Sequence, residues 1–168
     1  LLVTGDGRHM AVRQPNGTYA LLRGRAGDYV RDVLAKSAGE SSVFDDSAAP
    51  LSLADVPNAR CSRDICSVLV KGKRRAWFVA ATRTNVRIPW NALTSLCTRT
   101  DIMVSDRRLP KGCTPRWLKL DRARLRETGG VAVYLDSGQW ESVIRAGDRH
   151  PWVSLPLSAT TTPNSFNH

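Results

Sequence analysis

Short apolar runs separated by polar turns dominate this chain. In residues 9–22 two apolar segments flank Asn16-Gly17, and Asn-Gly is the turn most typical of a β-hairpin. The same pattern predicts further hairpins over residues 66–81, with a basic turn, and 131–144, around Asp-Ser-Gly. The chain is therefore expected to carry hairpins near both ends.

Helical signals lie between these strand pairs. Spacing of apolar positions predicts a helix over residues 28–36, and Pro89 suits the first turn of a helix that extends to about Thr98. A third helix is predicted after Asp121, which can cap it, with strands at 101–105 and 116–120 before it. Helices interleaved with strands predict an α/β fold, a mixed β-sheet layered with helices.

The domain organisation follows from length and composition. The 168 residues suffice for one domain with a buried core, assigned here to residues 1–152. Residues 40–58 are expected to form a surface loop, and the Ser/Thr/Pro/Asn-rich residues 153–168 a disordered C-terminal tail. Because the chain begins without Met or a signal-peptide pattern, it is expected to be a piece of a longer polypeptide.

Positive charge is concentrated in one segment. Residues 107–126 hold eight Lys or Arg and one acid, which gives 8 − 1 = +7, against +10 for the whole chain. A basic cluster between two core strands favours an anionic partner such as nucleic acid, although a solvated face with local ion pairs fits equally well. Guanidinium groups match phosphate oxygens in bidentate geometry. The predicted nucleic-acid-binding residues are Arg107, Arg108, Lys111, Arg116, Arg122 and Arg126.

Trp117 lies within this basic segment and has two interpretations. It can offer a stacking surface to an unpaired base, or it can pack in the core beside Leu118 and Leu120. Core packing is favoured because the apolar run continues after it.

No catalytic pattern emerges from the sequence. His9, His150 and His168 share no metal-ligand spacing, and the glycines form neither a phosphate loop nor a dinucleotide fingerprint. A nucleophile elbow of the type Gly-x-Ser-x-Gly is also missing. We therefore predict no catalytic residue, no metal and no cofactor; the enzymatic alternative is a residual metal-dependent hydrolase that uses Asp6, His9 and Asp106.

The four cysteines form two local pairs, Cys61 with Cys66 and Cys97 with Cys113. Zinc knuckles use tighter spacing, so two disulfides in an oxidising compartment are one interpretation. Four ordinary thiols in a cytosolic protein are the other.

The segment VSDRRLPKGCTPRWLKLDRARLRETGGVAVYL, residues 104–135, resembles the C-terminal soluble domain of the ComEC competence proteins. These are inner-membrane channels that take up single-stranded DNA. The opening VTGDGRHMAVRQPNGTYALLRGRAGDYVRDVL, residues 3–34, is similar to the start of that family's metallo-β-lactamase-like domain, and residues 147–152, GDRHPW, resemble its end. The resemblance implies a shortened metallo-β-lactamase-like domain with terminal hairpins.

This chain departs from the family where metal would bind. A His-x-His-x-Asp-His run is missing, and Asp106-Arg107-Arg108-Leu109 stands where active members carry a His-His-Gly-Ser-like segment. Guanidinium groups in place of imidazoles would repel a divalent cation. The resemblance therefore implies a degenerate, non-catalytic domain that guides single-stranded DNA through its phosphates without reading sequence.

The resemblance also implies a location and a second partner. The domain would belong to a bacterial inner-membrane protein and face the periplasm, where both cysteine pairs could oxidise. Its partners would be single-stranded DNA and the transmembrane channel portion of its own longer polypeptide. A purely structural domain that packs on that channel remains an alternative.

Overall fold

Residues 1–23, 51–83, 88–145 and 147–148 are described by a computed structural model of the chain. Strands in these ranges are β1 Leu2–Thr4, β2 Met10–Arg13, β3 Tyr19–Leu21, β4 Leu51–Ser52, β5 Ala59–Cys61, β6 Ile65–Lys71, β7 Ala76–Thr82, β8 Ile102–Val104, β9 Leu118–Leu120, β10 Gly130–Tyr134 and β11 Gln139–Ser142. The helices are a 3₁₀ turn at Leu53–Asp55, α1 at Trp90–Arg99 and α2 at Arg122–Thr128.

The strands form two mixed sheets. The first has the order β11-β10-β1-β2-β3-β4 and is antiparallel except for the β3–β4 pair. The second has the order β5-β6-β7-β8-β9, in which β5 to β7 are antiparallel and β7 to β9 are parallel. The predicted α/β class with mixed strand directions is confirmed, and the strands divide between two sheets.

One core lies between the sheets, because alternate side chains of both sheets point into it. In the second sheet Val79 and Ile102 are fully buried in this core, and Val3 and Val131 contribute from the first sheet. The neighbouring Met103 points to the opposite face, in a smaller core with α1 and the loop after β8. This alternation of period two explains why β8 is apolar at all three positions: both of its faces are covered.

All three predicted hairpins are confirmed, with β2–β3, β6–β7 and β10–β11 in antiparallel register. The prediction of a surface loop over 40–58 is wrong for its last part. Residues 51–58 contain β4 and the 3₁₀ turn, and Leu53 and Val56 are buried in the main core. The strand β5 had no predicted counterpart.

Two predicted segments, the helix over 28–36 and the tail over 153–168, lie outside the described residues. Within the described ranges, no helix has the length and apolar character needed to cross a membrane.

Both cysteine pairs are disulfides. Cys61 and Cys66 are directly opposed in the β5–β6 register, with their Cα atoms 4.0 Å apart. Cys97 of α1 is bonded to Cys113 in the loop after β8, with a Cα separation of 5.1 Å. The second bond therefore attaches the basic loop to the helix that covers the second sheet.

Candidate nucleic-acid interface

The basic segment is brought to one end of the second sheet by the parallel pairing of β8 and β9. Ile102 is opposite Leu118 and Val104 is opposite Leu120, so both strands end at the same level. The loop that begins at Ser105 and the helix α2 therefore start side by side. Residues that are about 15 positions apart in sequence meet there.

Asp121 joins these two elements. Its Oδ1 accepts hydrogen bonds from the backbone N–H groups of Ala123 (3.1 Å) and Arg124 (3.2 Å), which caps α2 as predicted. Its Oδ2 accepts a hydrogen bond from the Leu109 N–H at 3.0 Å, and the Arg122 N–H donates to the Arg107 carbonyl at 3.2 Å. The side chain of Asp121 is buried, so one carboxylate holds the loop and the helix in a fixed relation.

Four of the six predicted binding residues surround one concavity of about 380 Å³, named here the arginine concavity. Arg107 and Arg108 enter it from the loop, and Arg122 and Arg126 from α2, where a spacing of four places them on one helix face. All four side chains are exposed. The guanidinium groups of Arg108, Arg122 and Arg126 form no ion pair with any described residue, so their donors can face a ligand.

A smaller cavity of about 210 Å³ adjoins this concavity, and Arg107 and Arg108 line both. Its wall includes Ser105, whose hydroxyl accepts a 2.9 Å hydrogen bond from Thr82 across the β7–β8 pair. Asp106 also lines it, and its Oδ1 is shielded from solvent without a hydrogen-bond partner in the described part of the chain. Arg107 and Arg108, in the loop after β8, thus lie between the smaller cavity and the concavity.

The turn after β1 comes close to this region from the first sheet. Burial raises the pKa of the Asp6 carboxyl, but hydrogen bonds from Thr4 Oγ1 and the Arg8 N–H and the charges of His9 and Arg8 leave that pKa below its usual value. Burial lowers the pKa of His9, and Arg23 and Arg8 lower it further against the opposing effect of Asp6. His9 is therefore neutral at neutral pH, and the positive charge here comes from arginine.

Two of the predicted residues lie elsewhere. Arg116 is at the opposite end of β9, where its guanidinium is 3.7 Å from the Asp101 carboxylate. Lys111 is exposed at the tip of the loop, and the adjacent Gly112 packs towards Trp90 and Thr94 of α1. Closeness in sequence to Arg107 and Arg108 therefore did not predict which surface these two residues occupy.

The same region contains Asp6, His9 and Asp106, the metal ligands of the enzymatic alternative. In the described ranges, no group of three or more His, Cys, Asp or Glu side chains is placed to hold a metal ion. Asp6, His9 and Asp106 thus do not form a ligand set there. The Asp6 carboxylate already accepts hydrogen bonds within its own turn.

Sequence reasoning did not identify Arg83 and Arg75. Arg83 follows β7, lines the smaller cavity and donates to the Ser62 carbonyl at 3.1 Å. Arg75 precedes β7, and its guanidinium lies 3.5 Å from Asp101 and 3.6 Å from the centre of the Trp77 ring. The only sequence signal for either was its place at a strand end, which many surface arginines share.

Comparison with known proteins yields no family model, no curated protein and no solved structure that matches this chain. The resemblance to ComEC domains therefore stays a prediction.

Proposed function

We propose that this chain is a non-catalytic domain that contacts single-stranded DNA through its phosphates. The observation that carries the proposal is the convergence of Arg107, Arg108, Arg122 and Arg126 on one concavity. Planar guanidinium groups bind phosphate oxygens in pairs, and their charge attracts a polyanion at long range.

The same arrangement favours contact without sequence recognition. Apart from Ala123 the described lining is arginine, and it holds no Asn, Gln, Asp or Glu of the kind that reads adenine or cytosine edges, which favours phosphate contact over base recognition. A binding mode of this type depends on released counterions and should weaken steeply with salt.

The wider setting of the proposal is a ComEC-like DNA-uptake channel. In this setting the two sheets and their helices form a degenerate metallo-β-lactamase-like domain on the periplasmic face of the inner membrane. The two disulfides are compatible with an oxidising compartment. No cofactor is required, because arginine supplies the positive charge that a metal would bring.

The proposal is tested by titrating a labelled oligothymidylate into the protein at several salt concentrations. Contacts to about four phosphates predict a log–log slope of about −3 for a single strand. Changing Arg122 and Arg126 to Gln should reduce the slope to about half of this value, because two of the four contacts are lost. Polythymidylate and mixed-sequence strands should bind alike.

A matched control separates local contact from net charge. Arg60 and Arg63 are exposed on and beside the far edge strand β5, so changing both to Gln lowers the net charge equally. This pair should leave the slope nearly unchanged. Equal losses in both double variants, or no binding by the wild type at low salt, would contradict the proposal and favour a structural domain.

The metal-dependent alternative has its own measurement. Zinc or manganese at one equivalent in the purified protein, lost on changing Asp6 or His9 to Ala, would support a hydrolase. Well below one equivalent is the expected result.

A further inference from the structure

A second basic cluster lies at the other end of β8 and β9. Asp101 directly precedes β8, and Arg116 and Trp117 precede β9. Arg75 and Trp77 join them from the start of β7, the other parallel neighbour of β8. This group, named here the Asp101 cluster, is separated from the arginine concavity by the length of the strands.

A buried carboxylate organises the two arginines. Asp101 is 3% exposed, and its Oδ2 accepts a hydrogen bond from the Phe78 N–H at 2.8 Å. Its Oδ1 faces Arg75 at 3.5 Å and Arg116 at 3.7 Å. The Arg75 and Arg116 side chains are 49% and 58% exposed, so both are accessible from solvent while they pair with Asp101. Burying a charge is costly unless it is paired, so Asp101 and the two arginines hold one another in place.

Aromatic rings form the base of the cluster. The Arg75 guanidinium lies over Trp77, whose indole N–H donates to the Leu135 carbonyl of the first sheet at 2.8 Å. The Trp77 and Trp117 rings are 4.5 Å apart and tilted by 37°. Trp117 packs on the core, as favoured from sequence, and it is only partly buried, so part of its side chain stays accessible.

The adjoining turn between β6 and β7 adds positive charge. Lys71, Lys73 and Arg74 are exposed there, beside Arg75. Two acids contact this group: Asp101, and Asp136, which accepts a hydrogen bond from the Lys73 N–H. Lys71, Lys73, Arg74, Arg75 and Arg116 with these two acids give 5 − 2 = +3 for the seven residues.

We propose that the Asp101 cluster is a second contact point for the same single strand. It rests on the proposed function: a phosphate would bind between Arg75 and Arg116, and an unpaired base would pack against Trp117. From Arg116 to Arg122 the chain advances six residues, or about 20 Å if extended. A strand of roughly six nucleotides at a stacked rise of about 3.4 Å would reach from this cluster to the arginine concavity along β9.

The test compares 5′-phosphorylated oligothymidylates of four and twelve nucleotides, so that the shorter one carries the four phosphates that the concavity is proposed to contact. Four nucleotides can reach either the Asp101 cluster or the arginine concavity, whereas twelve can reach both. A strand already bound at one of these sites binds the other intramolecularly, which strengthens binding. The wild-type protein should bind the twelve-mer with a salt slope steeper by about 1.4, for about two additional phosphates.

The variant Arg75→Gln/Arg116→Gln/Asp101→Asn removes the buried charge together with its partners. It should lose this additional slope and about tenfold in affinity for the twelve-mer, and change four-mer affinity by about twofold at most. The single variant Arg116→Gln, which leaves Asp101 paired with the Arg75 guanidinium, should reduce the slope in the same direction even if the triple variant fails to fold.

The outcomes distinguish the two proposals. A wild-type protein that binds neither length overturns the proposed function. A wild-type slope for the twelve-mer in the Arg116→Gln variant, or in a folded triple variant, overturns the second contact point alone. Loss of four-mer binding in Arg122→Gln/Arg126→Gln with no effect of the Asp101-cluster variants likewise overturns the second contact point and leaves the proposed function standing.

Discussion

At the scale of single residues, the arginine concavity depends on an acid. Asp121 is the one carboxylate in the basic segment between positions 107 and 126, and it is buried. It forms no ion pair with any arginine in the part of the chain that the structure describes. Instead it accepts three backbone hydrogen bonds that fix the loop against α2. The arginines proposed to contact phosphate are thus positioned by a carboxylate that would repel phosphate if it were exposed.

Replacing Asp121 with Ala should lower the free energy of unfolding by about 2 to 4 kcal/mol. The helix loses its N-terminal cap, and the buried Leu109 N–H is left without an acceptor. Urea denaturation measures this loss. DNA affinity should also fall at temperatures where the variant is still folded, because Arg107 and Arg108 are no longer held towards α2.

Glu127→Ala provides the control on the same helix, with the same change in charge. Glu127 is exposed and pairs with Arg124 at 3.7 Å, a contact worth about 0 to 1 kcal/mol. Similar losses of stability in the two variants would show that Asp121 has no special role.

Trp117 and Arg116 show how far single positions could be predicted. Both were grouped with the basic loop because they lie within ten residues of Arg107. However, β9 begins immediately after them and runs parallel to β8 towards the level of Ser105, so they lie at the opposite end of β9 from Arg107. Nothing in the local sequence encodes the partner Asp101, which lies 15 residues earlier.

At the scale of elements, the disulfide between Cys97 and Cys113 connects α1 to the loop that carries the arginines. Both cysteines are buried beside Met103 and Leu109 on the outer face of the second sheet. The bond limits how far this loop can move from the sheet. The local spacing of the cysteines indicated the pairing, and the structure adds that the bond holds the loop that carries Arg107 and Arg108.

Changing Cys97 and Cys113 to Ala should destabilise the fold by about 3 kcal/mol, as expected for closure of a loop of 16 residues. Single-strand binding should weaken as well, because the loop gains freedom. Thermal denaturation and the oligothymidylate titration measure the two effects.

The Cys61–Cys66 pair is the comparison. It closes a loop of five residues at the far edge strand, so its removal should cost about 2 kcal/mol and leave binding unchanged. Loss of DNA affinity in both double variants would indicate general unfolding rather than control of the loop.

At the scale of the whole molecule, the two sheets meet at Ser105, which lines the cavity next to the arginine concavity. Gly7 follows β1 with a φ of +68°, and a Cβ added there would lie 2.6 Å from the Ser105 carbonyl oxygen. The turn of the first sheet therefore rests on the end of β8, from which the arginine loop departs. Glycine is required both by the backbone angle and by the space.

Gly7→Ala should destabilise the protein by more than about 2 kcal/mol, from the left-handed conformation and the contact with backbone. Gly17→Ala is the matched control, since Gly17 has a φ of +89° but nothing within 4 Å of the added Cβ. It should cost only about 1 kcal/mol. Equal unfolding free energies for the two variants, measured in urea, would show that the contact between the sheets is unimportant.

The sequence predicted the hairpins, the capped helix α2 and the segment rich in arginine, because turn residues, capping residues and apolar periodicity act over a few neighbouring positions. It could not predict that the strands divide into two sheets, since that depends on contacts between residues distant in sequence, such as Trp77 with Leu135. The parallel pairing of β8 with β9 is likewise tertiary. That pairing decides which arginines share a concavity and which lie at the other end, around Asp101.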